Sequence, residues 1–193
     1  MAHDTHRLWV DEMPEAYERW LAPVVFRPFA VDMARRVAAA TPRRVLELAA
    51  GTGVLTRELV AATTAEVTAT DLNEPMVEVG RRQVPGPVWR RADAADLPFD
   101  DAQYDLVVCQ FGAMFFPDKE AAFGEARRVL EPQGQFVVST WAALDTHDFQ
   151  AALVAGLERA FPNDPPSFMA SVVHGCADVD IVVGHLRRGG FGC

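Results

Sequence analysis

Val45-Leu46-Glu47-Leu48-Ala49-Ala50-Gly51-Thr52-Gly53 is the stretch whose reading decides the fold. It opens as a short β-branched and aliphatic run, from Arg44 to Leu48, and breaks on a turn of small residues. The next segment, 54–62, carries Leu55, Leu59 and Val60 at helical spacing, as an inward face, so the turn joins a strand to a helix. In an open parallel sheet a ligand sits beyond the carboxyl ends of the strands, near the point where strand order reverses. Glycines there let the backbone approach that ligand, and the following helix N-terminus offers it free N–H groups. Alone, such a turn also fits a dinucleotide enzyme or a plain tight turn.

Working outward, the same alternation repeats. Upstream, an amphipathic helix over 13–21, with Tyr17, Trp20 and Leu21 at helical spacing, is expected to stop at Pro23, and a second helix covers 26–40. Downstream come a strand at 65–71, a helix at 74–84 with Pro75 in its first turn, and strands at 87–91 and 104–109. A helix at 119–130 ends on Pro132 and Gly134, a strand follows at 135–141, then a helix at 148–161. A Pro-rich loop and a last helix at 178–188 complete the pattern. Strands alternating with helices imply an α/β, Rossmann-like doubly wound parallel sheet with a helical N-terminal extension. No repeat, low-complexity tract or linker divides the chain, so 1–193 reads as a single domain.

Composition bounds the function. The 193 residues are 50% hydrophobic and 23% charged, the balance of a soluble globular domain. The net charge of −9 argues against a nucleic-acid backbone as partner, and the arginine pairs, dispersed along the chain, read as solvated helix faces and strand edges. No uninterrupted apolar run reaches the ~18 residues of a membrane-spanning helix, so no membrane insertion is expected. The first seven residues lack the layout of a secretion signal, which implies a cytoplasmic protein. Cys109, Cys176 and Cys193 show no paired spacing and read as free thiols, with Cys109 a packing residue.

Three observations narrow the ligand. The dinucleotide fingerprint wants a third glycine where Thr56 stands. The acidic Glu47 lies inside the turn, where it repels a pyrophosphate but suits an amino group, such as the methionine end of S-adenosylmethionine. The second strand ends at Asp71, placed to accept both hydroxyls of a ribose, although Asp71 alone also fits NAD. Asp93, after the third strand, can accept from an adenine amino group. Turn, Asp71 and Asp93 together favour the methyl donor over NAD or another nucleotide.

These stretches, with Thr70-Asp71-Leu72-Asn73, Ala92-Asp93-Ala94, Leu97-Pro98-Phe99, Tyr104 to Phe111 and Ala126 to Gly134, resemble the class I methyltransferases. More narrowly they resemble the subgroup of ubiquinone/menaquinone-biosynthesis methyltransferases, with type 11 or type 25 domains, strongly over 40–145. The resemblance implies that Glu47, Ala49, Gly51 and Gly53 hold the methionine portion of the donor, Asp71 and Leu72 the ribose, and Asp93 and Ala94 the adenine. It also implies a division into an extension or lid (1–40), a donor-binding core (41–145) and acceptor-side helices (146–193). Ala49 stands where the family has its first motif glycine, and the change is expected to be tolerated. The family's sheet also continues with two more strands, so strands 6 and 7 are expected to be missing and the chain incomplete.

Methyl transfer needs alignment and water exclusion more than a conspicuous catalytic group. Gln110 and Phe111 are expected to line the donor and acceptor pockets, whereas Met114, Phe115 and Phe116 read more readily as core residues under a loop. Tyr17 and Trp20 are candidates for a lid over the donor. His147 is the one weak candidate for a base, a surface histidine at a helix N-terminus being the competing reading. His174 is a lesser candidate, and His3 and His6 lie in a frayed terminus. No set of side chains has metal-ligand spacing, so no metal is expected. The expected acceptor is a small molecule. A non-catalytic donor-binding or nucleotide-binding domain is the rival reading. The oligomeric state and the methylated atom stay open.

Overall fold

The computed structural model describes residues 13–192; His3, His6 and Cys193 lie outside them. Five strands form one parallel sheet: β1 (Arg44–Glu47), β2 (Glu66–Asp71), β3 (Val88–Arg91), β4 (Tyr104–Gln110) and β5 (Leu130–Ser139). Their order is β3-β2-β1-β4-β5, so the chain reverses direction across the sheet between β1 and β4. That places the crevice of a doubly wound fold just beyond Glu47 and Gln110.

Both faces are covered, as a parallel sheet requires. On one face Val45, Val67, Leu106 and Val108 pack against Ala30, Met33 and Val37 of α2 (Arg27–Ala39) and Leu55 and Leu59 of α3 (Val54–Ala62). Ala69 continues that face against Val77 of α4 (Glu74–Gln83) and Trp89. On the other face Leu46, Val107 and Cys109 meet Phe123, Ala126 and Val129 of α5 (Lys119–Val129). Two further helices, α6 (Asp148–Ala160) and α7 (Val179–Arg188), follow β5 and contribute no fully buried residue.

The structure corrects the sequence reading at four places. The N-terminal helix, α1 (Met13–Ala16), does not stop at Pro23 but runs through Tyr17–Phe26 as wide π turns into α2. A π turn bonds each N–H one residue further back, as Arg27 N–H does to the Ala22 carbonyl, and so accommodates a proline that an α turn would reject. Trp20 and Leu21, 65% and 43% exposed, face away from the core. Val60 is exposed as well, leaving Leu55 and Leu59 as the inward residues of α3. Finally, the break expected at Pro132 and Gly134 is absorbed into β5, which starts at Leu130. Leu130 pairs with Tyr104, Gln135 with Leu106, and the intervening residues form an irregularity in the edge strand, where a proline lacks no ladder partner.

Candidate active site

The turn after β1 is built on left-handed residues: Ala49 at φ 53°, Gly51 at 57° and Gly53 at 91°. Glycine adopts this region freely, whereas alanine is strained there by ~1 kcal/mol or more. Room for the Ala49 methyl comes from Gly112, where an added Cβ would lie 2.4 Å from Ala49 Cβ. Around the turn, Leu48 N–H bonds the Val108 carbonyl and Ala50 N–H the Thr70 carbonyl, both at 2.9 Å, so β4 and β2 hold it from either side. Nothing lies within 4 Å of where a Gly51 side chain would project.

Asp71 ends β2 beside this turn. Its Oδ2 accepts from Gly51 N–H at 2.9 Å and its Oδ1 from Asn73 N–H at 2.9 Å, so it pins the turn as well as facing it. Burial raises its pKa, and the N–H bonds from Asn73 and Gly51 offset part of the rise. Glu47, 2% exposed, accepts from the Thr56 hydroxyl at 2.7 Å. Burial pushes its carboxyl up to about 8; the Thr56 bond opposes this and Asp71 adds to it. Thr56, which stands where a dinucleotide site has glycine, is therefore the residue that holds Glu47.

A residue missed in sequence closes the site. Glu18, on the π-helical run, accepts from the Thr52 hydroxyl at 2.6 Å and from Arg57 at 2.9 Å, fastening the N-terminal segment over the turn. Nothing in the sequence separates Glu18 from Glu15, which is exposed and pairs with Arg82 at 2.8 Å. Tyr17 sits beside Glu18 and packs its ring 5.2 Å from Phe26. Burial, then the charges of Asp71, Glu18 and Glu47, push its hydroxyl well above its ordinary range. Trp20 is not part of this arrangement; the Arg19 guanidinium stacks on its exposed ring at 4.7 Å. Asp71, Glu18 and Glu47 thus all lie within electrostatic reach of the Tyr17 hydroxyl, and Arg57 is bound to Glu18.

The register places Glu47 opposite Val108, and Gln110 opposite Ser139, on one sheet face. Gln110 Oε1 and Ser139 Oγ are both buried there without a hydrogen-bond partner. Phe111, at φ 53°, stacks on Trp141 at 4.0 Å, with Phe26 and Phe29 closing on the same rings. Met114 and Phe115 pack on this aromatic cluster, whereas Phe116 belongs to the core on the α5 face. Further along, Asp93 is exposed at the end of β3, and its Oδ1 accepts from Ala95 N–H at 2.9 Å. Ala94 packs against the α5 face, and the Leu72 carbonyl accepts from Arg91 at 2.9 Å.

The two histidines of the β5 side come together. His147 is half-buried at the cap of α6 and His174 is 6% exposed; their rings lie 5.1 Å apart. The surface reading of His147 is thus corrected: it is half-buried and packs edge-on to Trp141 at 5.6 Å. The arginine pairs are also not uniformly solvated. Arg128 reaches the carbonyls of Leu97 and Phe99 at 2.9 and 2.8 Å, tying the loop after Asp93 to α5.

A parallel sheet with its crevice at β1/β4, a left-handed glycine turn and acids at the ends of β1 and β2 make up the fold of the class I methyltransferases. Residues 46–138 match the methyltransferase-domain family. A demethylmenaquinone methyltransferase of Clavibacter sepedonicus is 40% identical over 134 residues, covering 66% of this chain and 54% of that protein. The ubiquinone/menaquinone biosynthesis C-methyltransferase UbiE of Acidiphilium cryptum is 32% identical over 164 residues, covering 77% and 66%. The chain thus spans between half and two thirds of the length of these relatives. A solved S-adenosylmethionine-dependent methyltransferase of Thermotoga maritima shares the fold, with a TM-score of 0.64 and 23% identity, over 100% of this chain and 82% of that one. The chain belongs to the class I S-adenosylmethionine-dependent methyltransferases, in the UbiE-like, methyltransferase-domain family. Among the described residues no helix is long and apolar enough to cross a membrane.

Proposed function

We propose that this protein transfers a methyl group from S-adenosylmethionine to a small-molecule acceptor. The observation that carries the reading is the turn at the β1/β4 crevice: a left-handed turn pinned by Asp71, with the Glu47 carboxyl buried behind it. The residues fit the donor. Gln110 Oε1 and Ser139 Oγ are buried acceptors that await donors, on the sheet face that carries Glu47.

When bound, S-adenosylmethionine supplies a methyl on a positively charged sulfur, already activated for in-line displacement. In this reading Glu47 meets the cationic amino end, with the backbone of Ala49, Gly51 and Gly53 around it. Asp71, whose Oδ2 keeps a lone pair free beyond the Gly51 N–H bond while Oδ1 accepts from both the N–H and the side-chain amide of Asn73, accepts from a ribose hydroxyl through Oδ2, with Leu72 alongside. Asp93 and Ala94 take the adenine edge. Tyr17 and Glu18 hold the N-terminal segment over the turn and exclude water. Gln110 and Phe111 line the passage to the acceptor, where the exposed Phe29 ring stands edge-on to the buried Phe111–Trp141 stack and makes an aromatic surface.

That aromatic surface suits a planar ring, and the relatives named for demethylmenaquinone and for C-methylation point to carbon on a reduced quinone as the acceptor. We place the reaction in the cytoplasm, where Cys109 and Cys176, both free and buried, stay reduced. Titration calorimetry tests the donor assignment: heat with S-adenosylmethionine and none with NAD is expected. Asp71→Ala should abolish that heat. It should also cost ~1–3 kcal/mol of stability, because Gly51 and Asn73 N–H lose their acceptor. Unchanged affinity in Asp71→Ala would overturn the ribose assignment. Binding without turnover on any acceptor would instead favour the non-catalytic reading.

A further inference from the structure

Beyond the donor site, two imidazoles stand at the carboxyl edge of β5 with unused nitrogens. His174 Nδ1 lies 2.7 Å from the Ala142 carbonyl, which can only accept, so Nδ1 carries the proton. In the neutral ring this leaves Nε2 as a bare lone pair. That Nε2 is buried and unpartnered, and so is His147 Nε2, although the rings are 5.1 Å apart. Buried side-chain polar atoms are nearly always satisfied, so two adjacent orphans mark a place where a donor group arrives.

The position fits an acceptor. Trp141 touches His147 edge-on and stacks on Phe111, the residue after the end of β4. The imidazole pair therefore borders the Phe111–Trp141 stack at the carboxyl ends of β4 and β5, where an α/β sheet binds ligands. We propose that His147 and His174 are catalytic residues that accept protons from a hydroxyaromatic methyl acceptor. The proposal rests on the methyl-transfer reading above and deepens it.

The step balances as follows. The acceptor O–H bond breaks, its proton passes to His174 Nε2, and its electron pair enters the ring. A ring carbon bonds the methyl carbon as the carbon–sulfur bond breaks, and that pair stays on sulfur, which becomes a neutral thioether. The hydrogen on the methylated carbon then leaves as a proton to His147 Nε2, and the ring regains aromaticity as an oxyanion. The oxyanion takes back the proton on His174, and the one proton left over goes from His147 to solvent. No oxidant or metal is consumed.

The test uses the full chain with 1,4-dihydroxynaphthalene, kept reduced, as the acceptor and isotope-labelled S-adenosylmethionine as the donor. His174→Gln and His147→Gln should slow methylation at least a hundredfold, while the heat of donor binding is unchanged. His174→Ala should be equally slow, and added imidazole should restore its rate at least tenfold. Wild-type turnover in either Gln variant, no methylation of the naphthol by the wild-type protein, or a slow His174→Ala that imidazole does not rescue would each overturn the proposal. Absence of donor heat in the wild-type protein would overturn the methyl-transfer reading instead.

Discussion

At the scale of single residues, Glu47 and Ala49 each sit in a state that costs the ligand-free protein something. A buried carboxyl whose pKa rises from 4.5 to about 8 adds stability that is fully present below pH 4.5, where both folded and unfolded chains hold the proton. That contribution is lost as pH climbs through about 8, because the unfolded chain ionises first. Glu47→Gln keeps an acceptor for the Thr56 hydroxyl and removes the titration. Urea melts should therefore show the variant gaining on the wild type between pH 5 and 8, by on the order of 3 kcal/mol. A gap that stays flat across that range would contradict the buried, raised carboxyl. For Ala49, the left-handed backbone and the methyl facing Gly112 act together. Gly112→Ala should cost ~1–3 kcal/mol in the wild-type background, and less when combined with Ala49→Gly, which removes the methyl it meets. Additive effects in that double-mutant cycle would mean that Cys109 Sγ, 3.0 Å from the same added Cβ, sets the cost.

Among the elements, the N-terminal segment is held to the donor turn by Glu18. Its side chain is 16% exposed, and it accepts from both the Thr52 hydroxyl and Arg57. Glu18→Ala would leave Thr52, which is fully buried, without that partner, at a cost of ~1–3 kcal/mol. Hydrogen exchange over 13–26 should rise in the variant, and donor binding should weaken by roughly tenfold for each 1.4 kcal/mol of closure lost. Unchanged exchange there would show that Tyr17 and Phe26 hold the segment by packing alone. The parallel α/β sheet and the elements from 44 to 110 were legible in sequence, because apolar runs alternate there with periodic helices. What failed to show had a tertiary cause. Pro23 reads as a stop until a π turn shifts the bonding, and Pro132 and Gly134 read as a break until an edge strand absorbs them. At the candidate site, the turn was legible because its left-handed backbone favours glycine, as at Gly51 and Gly53. Glu18 and the meeting of His147 with His174 were not, since both depend on long-range docking of exposed-looking segments.

Across the whole molecule, packing is uneven in a way that bears on catalysis. The sheet and the helices α2 to α5 rest on side chains that are almost wholly buried, such as Val45, Leu46, Leu59, Val107 and Ala126. The segment after β5 hangs on fewer ties. α6 and α7 bury no residue fully, and Phe149, Phe161, Val179 and Ile181 are largely exposed. Its links to the sheet include the Thr140 hydroxyl bond to the Cys176 carbonyl at 3.0 Å, the His174 bond to Ala142, and the cluster of Phe111, Met114, Trp141 and Cys176. Local opening free energy follows buried contact density, so 148–173 should exchange amide hydrogens well before β1 and β4. S-adenosylmethionine should raise protection over 13–26 and 47–53 and leave 148–173 nearly unchanged. A hydroxyaromatic acceptor should then protect 142–176, since it supplies the missing donors at His147 and His174 and fills the space beside Trp141. Uniform protection of both regions by the donor alone would mean that they open as one unit, and that the acceptor side is ordered before its substrate arrives.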